Sequence, residues 1–420
     1  MRKRSLPPLR AGHHVHLLQG GQEFFAALER AIDQSTHEVR LETYIFHADR
    51  AANQVGQALI RAARRAVAVH LVVDGVGTPC LPAEWTQRFD EAGVQWRIFR
   101  PLGRLGWLSP SHWRRLHRKL CVIDGRVAFC GGINVLDDWN DPNHGALQAP
   151  RLDFAVRVTG PLVQSVHTAT VRLWERLQAG RTLHEARLST CMSTLWRQLQ
   201  EAADQAVEAS DETPLPETSS PVATQRARPG TRAALLLRDN LQYRRQIERA
   251  YCKAIAEACE EIIIANAYFA PGRKLRRALI HARQRGVRVR LLLQGRYEYF
   301  MQFHAVRMMY GMLLGAGIEI HEYSPSFLHA KVAVIDGHWA TVGSSNLDPL
   351  SMLLAREANI VVDDAPFAQD LRARLLQAIE HEGRRVDPAD YDGRPWQQRL
   401  IDRLAFGLMR MGVFLSGNRY

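Results

Sequence analysis

Apolar positions along this chain gather into short continuous runs, separated by longer segments of helical composition. Val67–Asp74 and Val287–Leu293 are Val- and Leu-rich runs of strand length, each preceded by a segment rich in Ala, Leu and Arg. The stretches ending in Leu41–Phe46 and in Ile262–Phe269 read the same way. Two further runs, Leu152–Val158 and Arg356–Val362, read as strands in which Asp153 and Glu357 are the sole opening acids. Strands alternating with helical segments predict an α/β fold. Near the C-terminus, Trp396, Leu400, Ile401, Leu404, Leu408, Met411 and Leu415 recur at helical spacing after Pro395, with Arg399, Arg403 and Arg410 at other angles. That pattern predicts an amphipathic basic helix, packed on its neighbour or lying in a membrane interface.

The pattern occurs twice. Ala31–Phe46 matches Ala254–Phe269, 223 positions on, and Ala92-Gly-Val with Phe99-Arg-Pro101 matches Ala316-Gly-Ile with Tyr323-Ser-Pro325, 224 positions on. Two copies predict two similar lobes. The intervening segment 204–232 is polar and Pro-rich without periodicity, and reads as a linker. The expected organisation is a first lobe over 1–203, the linker, a second lobe over 233–390 and a basic tail over 391–420.

Composition narrows the partners. Of 420 residues, 46% are apolar and 23% charged, which excludes a disordered chain and suits two or three domains at ~150 residues each. Lys and Arg number 55 against 43 Asp and Glu, a formal charge of +12. Such a balance calls for a polyanionic partner: nucleic acid, an anionic membrane surface or a phosphate-bearing substrate. The six cysteines form no C-x-x-C pair, and the usage fits a reducing cytoplasm. No secretory signal is expected at the N-terminus, and no run of about 18 apolar residues predicts a spanning helix.

The chemistry lies in the repeat. His117-Arg-Lys119, Asp124 and Gly131-Gly132-Ile-Asn134 are matched, 212 positions on, by His329-Ala-Lys331, Asp336 and Gly343-Ser344-Ser-Asn346. In an extended strand, residues two apart share a face, so each His lies beside its Lys. Asp-Gly then predicts a tight hairpin turn. Two facing hairpins would offer two imidazoles, two ammonium groups and two carboxamides around one phosphate. One His can attack phosphorus and the other protonate the leaving oxygen, while Lys119, Lys331, Asn134 and Asn346 hold the non-bridging oxygens. The lysines then do a metal's work of charge neutralisation, so no metal and no cofactor are expected.

The paired motif resembles the duplicated HKD motif of the phospholipase D superfamily. Leu41-Glu-Thr-Tyr-Ile-Phe46, Val72-Val-Asp-Gly-Val-Gly77 and Val342-Gly-Ser-Ser-Asn-Leu-Asp-Pro-Leu350 resemble its bacterial cardiolipin synthase branch. The resemblance implies two lobes, each a central mixed β-sheet flanked by helices, with the active site at their interface. It implies a two-step transfer through a phosphohistidine, with His117 as nucleophile and His329 as general acid and then base. Asp124 and Asp336 complete the catalytic motif, although an Asp at a strand-end turn reads as structural. The family orients each His with a downstream carboxylate, for which Asp153 and Glu357 are the candidates. Its members act on phospholipids such as phosphatidylglycerol at an anionic membrane, which implies a peripheral enzyme on the cytoplasmic face of a bacterial inner membrane. Nucleic acid is the less favoured partner, a phosphodiesterase acting on lipid or nucleic acid is the alternative activity, and the oligomeric state is left open.

The two offsets differ by twelve residues, so lobe one carries an insertion between Pro101 and His117. It contains Trp107 and Trp113 among arginines and leucines, a mixture suited to the headgroup boundary of a bilayer. Trp396 in the tail is a third candidate for membrane contact. The stretch Tyr297–Tyr310, rich in Met and aromatics, reads as core or as an acyl-chain entrance. Glu42 and Tyr44 end the first lobe's opening strand, where an α/β sheet places its site.

Overall fold

Lobe one contributes strands β1 (Arg10–Gln19), β2 (Glu38–Thr43), β3 (Ala68–Asp74), β4 (Gln95–Phe99), β5 (Arg115–Leu116), β6 (Lys119–Ile123), β7 (Val127–Gly131), a small ribbon of β8 (Asn140–Asp141) and β9 (Gly145–Ala146), and β10 (Phe154–Thr159). Lobe two contributes β11 (Thr231–Arg238), β12 (Glu261–Asn266), β13 (Arg288–Gln294), β14 (Glu319–Tyr323), β15 (Lys331–Ile335), β16 (Trp339–Gly343), β17 (Ala355–Asp363) and β18 (Gly383–Arg385). This computed structural model describes residues 6–102, 113–179, 230–239, 243–297, 300–348, 351 and 355–415. Residues 1–170 and 229–420 form one compact unit, which holds both lobes, and 171–228 form a second, helical over its described residues 171–179. The Pro-rich segment 204–232 lies outside the described residues as far as 229.

The strands join in one mixed sheet. From its centre the order is β1-β10-β7-β6-β2-β3-β4 on one side and β11-β17-β16-β15-β12-β13-β14 on the other, with β18 at the far edge. The two orders are the same, as the sequence repeat requires. β2, β3 and β4 run parallel, as do β12, β13 and β14. The hairpins β6–β7 and β15–β16 are antiparallel. β1 and β11 pair antiparallel across a bulge, Arg10 with Ala233 and His13 with Thr231, and join the halves.

Alternation along the hairpin strands builds three cores. Leu120 and Val122 of β6 face a core shared by both lobes, together with Val332 and Val334 of β15. Cys121 and Ile123 face the outer core of lobe one, under the helices Gly20–Asp33, Arg50–Arg64 and Ala83–Ala92. Ala333 and Ile335 face the outer core of lobe two, under Gln246–Glu257, Arg273–Gln284 and Phe300–Gly315. The helix Ala365–His381 packs into the shared core through Phe367, Leu371 and Leu375. Both hairpins turn through positive φ at two residues, 52° and 60° at Asp124-Gly125 and 49° and 62° at Asp336-Gly337. That is the type I′ geometry whose twist matches the strands, and it favours glycine at the second position.

The C-terminal helix forms over Trp396–Leu415 and packs along Phe300–Gly315. Val306, Met309 and Tyr310 of the Met-rich stretch are core, while Tyr297 and Phe300 before them are exposed. Among the described residues, no helix is long and apolar enough to cross a membrane.

Candidate active site

The two histidines sit where the lobes exchange backbone. β5, just before His117, pairs in parallel with the start of β17 in lobe two, Arg115 with Ala355 and Leu116 with Arg356. His117 N–H then donates to Arg356 O at 3.0 Å. Lobe two mirrors this: Leu152 N–H donates to Phe327 O at 3.0 Å and His329 N–H to Leu152 O at 2.9 Å. A side chain at the end of the second parallel strand also holds each segment. Asp74 accepts from Leu116 N–H at 2.7 Å, and Gln294 accepts from Leu328 N–H at 3.2 Å.

This exchange crosses the carboxylates over. His117 Nδ1 lies 3.0 and 3.1 Å from the two carboxylate oxygens of Glu357, which belongs to lobe two. His329 Nδ1 lies 2.6 Å from Oδ2 of Asp153, which belongs to lobe one. Both carboxylates are buried, Glu357 completely. Nothing local in the sequence signals the crossing, because it follows from strand pairing between residues 240 positions apart. Each Nδ1 is thus occupied, and Nε2 is the ring atom left for a substrate.

The supports differ in detail. Ser344 Oγ donates to Glu357 Oε2 at 2.6 Å. The matching position in lobe one is Gly132, and a Cβ there would overlap the Asp153 carboxylate. The glycine of one motif and the serine of the other therefore serve the same purpose, seating a shorter and a longer acid. Tyr44 packs edge-on against the His117 ring, centroids 4.9 Å apart, and the Lys119 ammonium lies 5.4 Å from the Tyr44 centroid. Its lobe-two counterpart is Ala267, so this wall belongs to one half only. Glu42 instead pairs with Arg118 at 2.9 Å on the other face of the strand, and Arg118 also donates to Ala169 O.

Both lysines are buried, and each donates to the backbone oxygen of its own histidine, Lys119 to His117 O at 2.8 Å and Lys331 to His329 O. Burial lowers the Lys119 ammonium to about 7, against the opposing pull of Glu357. Burial also lowers both imidazoles, His329 well below the usual range, and the two lysines push the same way. The Asp153 carboxyl is pushed up to about 7 by burial, opposed by Lys331. These mutual influences make the four motif residues and two carboxylates one electrostatic cluster. Asn134 and Asn346 are buried beside it. Asn134 Oδ1 accepts from Ile45 N–H at 3.2 Å, whereas Asn346 Oδ1 has no partner among the described residues.

Asp124 and Asp336 lie at the hairpin turns, away from the two histidines. Each lies five residues beyond its lysine, about 16 Å along an extended strand. Asp124 accepts backbone N–H bonds from Thr36, His37 and Glu38 at 2.8–2.9 Å, and Asp336 from Cys259, Glu260 and Glu261 at the same distances. They clamp the start of β2 and β12 to the hairpin turn. Of the proposed membrane contacts, Trp396 is exposed and Trp113 half-buried, while Trp107 lies outside the described residues.

Comparison with known proteins identifies the family. The family model described as cardiolipin synthase, PLD-like domain matches residues 28–147 and again 251–379. The chain belongs to this family. It is an enzyme of the phospholipase D superfamily, a phosphatidyltransferase. Its similarity extends to cardiolipin synthase B of Escherichia coli (strain K12), 35% identical over 97% of this chain and 90% of the relative. Cardiolipin synthase B of Salmonella typhi is 36% identical with the same coverage. The phosphatidylserine synthase of Haemophilus influenzae shares the fold at a TM-score of 0.65 and 11% identity, over 96% of this chain and 95% of that one. In this phospholipase D-type enzyme, each matched segment carries one His-x-Lys pair, and the carboxylate facing each of these histidines comes from the other lobe.

Proposed function

We propose that the protein is a cardiolipin synthase that moves a phosphatidyl group between phospholipids through a phosphohistidine. His117 Nε2 attacks the phosphorus of a donor such as phosphatidylglycerol, the N–P bond forms and the P–O bond to the leaving alcohol breaks. His329 gives that alcohol its proton. The hydroxyl of a second phospholipid then returns a proton to His329 and attacks phosphorus, releasing His117. Lys119, Lys331, Asn134 and Asn346 hold the non-bridging oxygens throughout.

The observation that carries this reading is the pair of imidazoles with Nδ1 fixed on buried carboxylates and two buried lysines between them. The division of labour has a physical basis. Because the Asp153 carboxyl is raised to about 7, the Asp153–His329 pair retains a proton to donate near neutral pH. Glu357, anchored by Ser344, faces the ring that becomes cationic on phosphorylation. A formal charge of +12 suits a peripheral position on the anionic cytoplasmic face of a bacterial inner membrane.

Incubation with labelled phosphatidylglycerol and separation of the products tests the reading. Cardiolipin with free glycerol is the expected outcome; phosphatidic acid as the main product would favour the hydrolase. His117→Ala should abolish turnover and any labelled phosphoenzyme, whereas His329→Asn should still accumulate label from a donor whose good leaving group needs no proton. Label trapped on residue 329 of the unaltered protein would reverse the two roles.

A further inference from the structure

The helix Trp396–Leu415 is turned with its apolar stripe outward from Trp396 to Leu408. Trp396, Leu404 and Leu408 are 69%, 58% and 55% exposed, and Leu400 and Ile401 lie exposed between them. The inward positions are Asp402, 3% exposed, the small Ala405, and Phe406, partly buried against the outer core of lobe two. Most of the large apolar side chains described on this helix nevertheless face outward, the reverse of a helix held to a protein by apolar burial alone.

Polar contacts fix this orientation. Asp402 Oδ1 lies 2.8 Å from His304 Nδ1, on the helix Phe300–Gly315, and Asp402 Oδ2 accepts from Arg394 at 2.9 Å. The Arg394 guanidinium lies over the Tyr391 ring at 3.5 Å, and Tyr391 donates to Arg307 O. Turning the stripe inward would carry the Asp402 carboxylate away from both its partners.

The stripe also has a direction. Tyr391, five residues before the helix, meets Arg307 and Tyr310, while Asp402 within it meets His304, so from Tyr391 to Asp402 the chain runs antiparallel to Phe300–Gly315. The stripe therefore advances toward the start of Phe300–Gly315. That start lies six residues beyond Gln294, whose side chain holds Leu328 beside His329. Tyr297 and Phe300, half exposed, continue the apolar surface at this end.

We infer that this stripe, from Trp396 to Leu408 with Phe300 and Tyr297, is the face that rests on an anionic phospholipid bilayer and brings the lobe-two side of the active site to it. The inference rests on the phospholipid reading above and adds the surface and its orientation. The exposed Arg403 beside the stripe, and the net charge of +12, complement anionic headgroups, and a Trp at the stripe's end suits the interface.

The test uses the full chain. Co-sedimentation with vesicles of phosphatidylglycerol and phosphatidylethanolamine should show binding that weakens with salt yet persists. Leu400→Glu and Leu404→Glu should each weaken it about tenfold, while turnover of a short-chain, monomeric phosphatidylglycerol stays at the unaltered level. Leu404→Trp should retain or tighten binding, an outcome that a folding defect cannot mimic. Vesicle binding indifferent to both Glu changes would overturn the inference. So would a lipid-free dimer, seen by sedimentation equilibrium, that Leu404→Glu converts to monomer. Failure of transfer on the monomeric lipid in the unaltered protein would instead count against the reaction and leave the surface standing.

Discussion

Histidine Nδ1, a buried acid and a lysine recur at each half-site, and the residues around them tune otherwise equal groups. If the acids orient the rings, Glu357→Gln and Asp153→Asn should each lower kcat by roughly two to four orders of magnitude, as loss of the orienting acid does in other histidine-based sites. Single-turnover kinetics with a donor whose good leaving group needs no proton would separate them: Glu357→Gln should still slow formation of the phosphoenzyme, and Asp153→Asn only its resolution by the acceptor. The depressed Lys119 ammonium has its own signature. Because burial brings it to about 7, kcat/KM should fall as pH rises through that value and the phosphate loses a cation. Lys119→Arg should remove this contribution to the alkaline limb, at a lower plateau, because guanidinium keeps its proton, and should leave the contribution of the Asp153–His329 pair. The acid limb should lie below the ordinary histidine range, since burial lowers His117 and favours the neutral, nucleophilic ring.

Hairpins are the elements that made the site legible. His-x-Lys in a strand, an Asp-Gly turn and a return to a Gly-containing segment define register over fifteen residues with local interactions alone. The repeat likewise revealed two lobes, and the opening acids of β10 and β17 stood out against apolar runs. The exchange of carboxylates was not legible, because β5 and the residues before β10 pair with the other lobe through backbone atoms that no side-chain pattern encodes. Tyr44 was ambiguous for a related reason: an aromatic at a strand end looks the same whether it packs on a core or on His117. At this scale Asp124 has a specific role. Asp124→Ala would strip three backbone N–H groups of their acceptor, lowering unfolding free energy by roughly 1–3 kcal/mol in denaturant titration, while kcat of the folded protein stays near normal. A catalytic role would show the opposite pattern.

For the molecule as a whole, in the proposed reaction two lysines and two asparagines drawn from both lobes supply the positive and polar surface around the phosphate. Transfer should therefore survive EDTA, measured on monomeric lipid so that effects of cations on a vesicle surface do not intervene. Loss of activity restored by a single divalent ion would refute that view. The swapped carboxylates also bear on ancestry. A chain carrying one copy of the repeat would hold a histidine without its acid and an acid without its histidine. Two such chains about a twofold axis would complete each other, in the closed, isologous manner of symmetric dimers. Fusion of the two copies would then free each to specialise, as the Gly132/Ser344 and Tyr44/Ala267 differences illustrate. It would not free them to evolve apart. A damaged acid in either half disables the histidine of the other, so selection acts on the halves as one locus, and recombination that exchanges a single half with a distant relative must match residues across the seam to yield a working enzyme.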